Sequence, residues 1–141
     1  METSHNGKHT QVDTITGVTT AGSISVTGEG NSTTTNLQQG LCKCWTDFDG
    51  DTATMRDSLN VASTADNGPG DFTWSWSNNM NSVNYSPSGS SGSGRDGGNE
   101  VKGMCATDGV FTTSQLRTGT RNDGGYADAD DHCLHVMGDL A

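Results

Sequence analysis

The chain has 141 residues, enough for one domain of ordinary size, but only 29% of them are hydrophobic and 17% charged. Its formal net charge is −10 and its seven Lys and Arg are spread singly. That excludes the clustered cations that bind nucleic acid and the basic face that adsorbs to anionic lipid.

No stretch is long and apolar enough to span a bilayer. No apolar 3.6-residue period runs for three turns either, so short strands joined by Gly, Ser, Thr and Asn turns are expected in place of helices. The start, METSHNGKHTQ, lacks the hydrophobic region of a signal peptide. It points to synthesis in a cytoplasm, where disulfides are not expected.

Residues 1–40 read as an extended arm with few aliphatics: Val12, Ile15, Val18, Ile24, Val26 and Leu37. GSISVTG alternates as a strand does, with Ile24 and Val26 on one side. Burying these six side chains supplies on the order of 10–15 kcal/mol. Ordering some forty backbones costs about 1–2 kcal/mol each, which is several times more. The arm therefore needs a partner surface.

From Leu41 the pattern changes. In CKCWTDFD, Cys42, Cys44, Thr46 and Phe48 share one face of a strand, with Lys43, Trp45, Asp47 and Asp49 on the other. TADNGPGDFTW reads as a hairpin through Asn67-Gly68 and Pro69-Gly70. DFTWSWS is the clearest strand, with Phe72, Trp74 and Trp76 on one side. SPSGSSGSGRDGGNE, residues 86–100, reads as a flexible low-complexity loop. VKGMCAT and SQLRTGT are strand candidates. The acidic NDGGYADADD leads into a last strand, HCLHVMGDL, in which His132, Leu134 and Val136 alternate with Cys133, His135 and Met137. The expected architecture is all-β: an arm over 1–40, then an antiparallel sandwich or jelly-roll-like domain over 41–141.

Chemistry is sparse. Residues i and i+2 of a strand lie roughly 6.8 Å apart with parallel side chains, which disfavours a Cys42–Cys44 disulfide. Structural zinc takes its ligands from knuckles spaced two to four residues apart, unlike CxC followed by the lone Cys105 and Cys133. The four thiols read as small apolar groups in the core or an interface, beside Phe48, Phe72, Trp74 and Trp76. Asp47, Asp49, Asp51 and Asp57, and the later DADD, raise calcium, but neither has the EF-hand spacing, so solvated turns are expected. No nucleophile elbow, phosphate loop or zinc-protease motif is present, so neither an enzyme nor a cofactor is expected. Trp45, Trp74, Trp76 and Tyr85 read as core rather than as a sugar-stacking platform.

QVDTITGVTTAGSISVTGEG, NSTTTNLQQGLCKCW, RDSLNVAS…DNGPGDFTWSW and the terminal MGDLA together resemble short fibre-type surface proteins of tailed bacteriophages, particularly marine ones. That group more often carries alanine where Cys42 and Cys44 stand and asparagine where Asp49 stands. The resemblance implies a homotrimeric virion protein, assembled in the host cytoplasm. Its N-terminal segment, here Val12, Ile15, Val18, Ile24 and Val26, would attach to other tail or capsid proteins. Its C-terminal β-domain would face the host, with a surface glycan as a candidate receptor. Exposed loops then become the receptor-facing candidates: Arg95 and Asp96 in one, Asn122, Asp123 and Tyr126 in the other. A capsid decoration or cement protein (a head fibre) is the alternative, and a lectin-like module the remote one.

Overall fold

The computed structural model describes residues 12–17, 24–28, 30–92 and 101–141, with the main chain alone at 101–109. The chain divides into two compact units between Gln38 and Gln39. In the first, β1 (Ser25–Thr27) pairs antiparallel with β2 (Thr34–Asn36), Ser25 opposite Asn36. The connecting turn is closed by Gly28 N–H on Thr33 O and Asn31 N–H on Gly28 O. Asn31 takes the left-handed conformation that asparagine tolerates. Leu37 N–H on Ile24 O extends the ladder by one bond. Two short strands alone are marginal in water. Ile24 and Leu37 are half-buried, while Val12, Ile15 and Val26 are exposed at 58%, 60% and 52%. A single helical turn, α1 (Leu37–Gly40), follows.

The second unit is all-β and antiparallel. Its strands are β3 (Cys42–Asp49), β4 (Thr54–Leu59), β5 (Val61–Gly68), β6 (Asp71–Trp76), β7 (Ser86–Gly92), β8 (Val101–Phe111), β9 (Gln115–Asn122), β10 (Gly125–Tyr126) and β11 (Asp131–Met137). They form one curled sheet in the order β4-β3-β11-β7-β8-β9-β6-β5, with β10 an outlier on β9. The bend runs through β8. Its first residues pair with β7, Val101 opposite Gly92, and the next pair with β9, Gly103 to Ala106 opposite Arg121 to Thr118. The two halves thus bring their inner faces together.

That joint is the core. Phe48 of β3 meets Phe72 and Trp74 of β6 edge to face, at centroid distances of 4.9 and 5.0 Å. These strands are not sheet neighbours, so the contacts cross from one half to the other. Cys44, Trp76, Met80, Tyr85, Leu116, Leu134 and Val136 complete the cluster. Inward residues sit at every second position of β3, β6 and β11, the period a half-buried strand requires. The hairpin read from TADNGPGDFTW is β5–β6, with Asp66 opposite Phe72. Between β4 and β5 the chain turns at Asn60, which is left-handed (φ 62°). Its side chain donates to Asn78 O and accepts from Asn78 N–H, which holds the corner.

One sequence expectation fails here. Part of the 86–100 loop is strand β7, paired along its length with β11, from Asp131 opposite Gly92 to Met137 opposite Ser86. Its composition gives no strand signal. β11 supplies main-chain partners along one side and the start of β8 begins the other, so tertiary pairing overrides propensity.

Candidate functional site

Three places bring polar side chains together. The first lies inside the joint. His132 of β11 is fully buried among Phe48, Phe72 and Trp74, with centroid distances of 6.3, 5.3 and 5.3 Å. Trp74 Nε1–H donates to Thr118 Oγ1 at 2.8 Å, and that hydroxyl lies 3.1 Å from His132 Nε2. A hydroxyl beside an imidazole is the pairing of a nucleophile with its base. Here both are sealed from solvent, and His132 Nδ1 has no hydrogen-bond partner to orient the ring. The pair joins the halves of the sheet and offers no route to a substrate. Burial pushes the imidazole down to about 4, so it is neutral at pH 7.

The thiols are distributed unevenly. Cys42, Cys44 and Cys133 are free. Cys44 is buried in the core, and burial, with the Cys42 thiol adding to it, pushes its thiol up to about 12. It stays protonated, as a small apolar group does, and is no thiolate ligand. Cys42 is half-buried, its thiol donating to Cys44 O at 2.9 Å. Cys133, grouped with the core from the sequence, is half-buried on the opposite face of β11 from His132 and Leu134, because strand parity places it there. The Cys105 side chain lies outside the described residues. Phe48, Phe72, Trp74 and Trp76 are all buried.

The acidic segments form the second place. Arg56 of β4 stands among four carboxylates: Asp47 (3.5 Å), Asp49 (3.0 Å), Asp130 (2.5 Å) and Asp131 (3.2 Å). Its Nη1 also donates to Asp130 O at 2.9 Å. Solvated turns were expected for these aspartates. Instead residues 127–131 form a strap, with Ala129 and Asp130 buried. Gly50 N–H donates to Ala129 O at 2.9 Å, and Gly70 N–H to Asp128 Oδ1 at 2.5 Å. The strap thus joins the β3–β4 turn to the β5–β6 turn, one from each half of the sheet. Among the described residues no group of three or more His, Cys, Asp or Glu is placed to hold a metal ion. A guanidinium takes the place a cation would. For Asp49, burial raises the carboxyl, but the Thr52 amide and hydroxyl and the Arg56 charge outweigh it and hold it below its ordinary value. Sequence reasoning missed Arg56, whose only signal was a lone cation in the unpatterned TMRDSL.

A prediction attaches to this cluster. Arg56→Met should lower the melting temperature, and the loss should shrink as salt is added, because the four carboxylates then repel one another without a counter-charge. Thermal unfolding at low and at roughly 0.5 M salt checks it, the higher ionic strength cutting the screening length to a few ångström. A loss independent of salt would make Arg56 a packing residue.

The third place is surface. Asn122, Asp123 and Tyr126 are exposed on the β9–β10 hairpin, where the Arg121 guanidinium lies 4.5 Å from the Tyr126 ring centroid. A groove of about 240 Å³ opens between β4 and β5, lined by Phe48, Met55, Ser58, Val61 and Thr64 among others. Ile24 is half-buried and Val12, Ile15 and Val26 are exposed, while Val18, Arg95 and Asp96 fall outside the described residues. No protein-family model, curated protein or solved structure matches the chain.

Proposed function

We propose that this chain is a structural protein of a tailed-bacteriophage virion, a trimeric tail-fibre-type appendage. Residues 39–141 would then be its sandwich or jelly-roll-like distal domain, presented to the host surface. The observation that carries the reading is the contrast between the two units. The second closes a core of its own, whereas the first is a two-stranded ladder that leaves Val12, Ile15 and Val26 in solvent. Such a ladder takes its ordering free energy from other chains, as an attachment segment does. The fibre-like resemblance of residues 11–85 and 131–141 points the same way. Partners are two further copies and a virion protein. Among the described residues, the β9–β10 hairpin, with Asn122, Asp123 and Tyr126 exposed, is the candidate surface for a host glycan. The same exposed aliphatics would suit a shell of capsid subunits, so a head decoration is the second reading.

The test is deletion with localisation. A chain starting at Gln39 should fold as a β-rich particle and be missing from virions, while antibody against the full chain labels tails. Label on heads moves the protein to the decoration reading. Normal incorporation of the truncated chain, or a stable monomer of the full chain in light scattering, overturns both.

A further inference from the structure

We propose that His132 is an acid-operated release for the joint between the two halves of the sheet, protonation of its ring driving them apart. His132 belongs to β11, in the half β4-β3-β11-β7, and its hydroxyl partner and two of its three ring contacts, Thr118, Phe72 and Trp74, belong to β9 and β6 in the other half. Every change in that ring is felt across the joint.

A charged imidazole has two N–H donors. One ring nitrogen faces Thr118 Oγ1, which already accepts the Trp74 N–H, and Nδ1 has no partner. A second proton would leave a buried donor and a buried charge uncompensated. No described residue forms an ion pair with the ring: Asp130, the buried carboxylate two positions before it, is held through Oδ1 by Arg56 Nη2 at 2.5 Å. β3 presents Thr46 and Phe48 to the core, β6 presents Phe72 and Trp74, and β9 presents Thr118. Ser91 of β7, opposite His132 in the ladder, is uncharged. Asp47 and Asp49 on β3, Asp71 on β6, Arg117 on β9 and Asp131 on β11 stand at the alternate, outward positions. A phenyl ring would fill the same core without this liability, so the histidine makes the joint conditional on pH.

The sign follows from linkage. Burial lowers the folded-state value from 6.5 to about 4, so the unfolded chain binds more protons between those values. Stability is full above 6.5, falls as pH drops towards 4, and levels off below. Asp49 and Asp71, also lowered, act below 3.8 and leave this window clear.

The experiment is urea unfolding of the full chain at pH 7.5, 6 and 5, with His132→Gln alongside. The wild-type unfolding constant should rise about thirtyfold from pH 7.5 to 5. The variant should lose that rise, and His135→Gln, exposed on the outer face of the same strand, should keep it. An equal rise in His132→Gln overturns the proposal. Should that variant not fold, an NMR titration of the native wild type decides. A His132 ring neutral down to about pH 4 supports the release, and one that charges near its ordinary 6.5 with the fold intact overturns it.

Discussion

Trp74→Ala is expected to destabilise the second unit by about 3–5 kcal/mol, the range for emptying a buried tryptophan site. Trp74 is fully buried at the crossing of the two halves, in contact with Phe48, Phe72 and His132. Its neighbours sit on strands fixed by their own ladders, so the site cannot collapse into the space left. The indole also holds Thr118 Oγ1 through Nε1–H. Trp74→Phe separates the two contributions: it keeps most of the ring and loses the hydrogen bond, costing about 1–2 kcal/mol. Urea titrations at pH 7.5 measure both. A Trp74→Ala variant within about 1 kcal/mol of wild type would be well under the range for a sealed ring and would mean the joint is looser than described.

The strap supplies the second large effect. Gly70→Ala should cost about 2–5 kcal/mol, combining left-handed strain of about 1–2 kcal/mol with overpacking of about 1–3. Gly70 sits at φ 63°, and a Cβ there would overlap the backbone of Ala127, which has no side-chain end to swing away. Its carbonyl accepts from Thr120 N–H at 2.7 Å, so the residue is tied to β9 as well as to the strap. Gly50→Ala isolates the steric part: its Cβ would come 2.5 Å from Ala129 O without the left-handed backbone. The expected order is Gly70→Ala worse than Gly50→Ala, and both worse than wild type, by thermal or urea unfolding. Two variants as stable as wild type would mean that 127–131 does not bind the turns.

Why some of this was legible in the sequence and some not comes down to who supplies the partner. Strands β3, β6 and β11 carry their own inward residues at every second position, so Phe48, Trp74 and Leu134 declared their face. The same alternation set Cys133 opposite His132, which grouping all the thiols together overlooked. β7 is Ser, Pro and Gly, and its order comes from β11 beside it. The Arg56 cluster draws on residues far apart along the chain, Asp130 lying 74 positions from the arginine. Each acidic run looks like a solvated turn until the fold puts a guanidinium between them.

The strand order also dictates a schedule. β3, the first strand of the second unit, has β11, the last, as a neighbour, with Cys42 opposite Met137. β7 also waits for β11 along its whole length. Until Asp131–Met137 has emerged from the ribosome, the half of the sheet that holds His132 lacks its central strand. The nascent chain meanwhile carries open edges and an uncovered aromatic face. Loop closure over nearly the whole unit must precede that pairing, which puts folding on the slow side, in milliseconds to seconds.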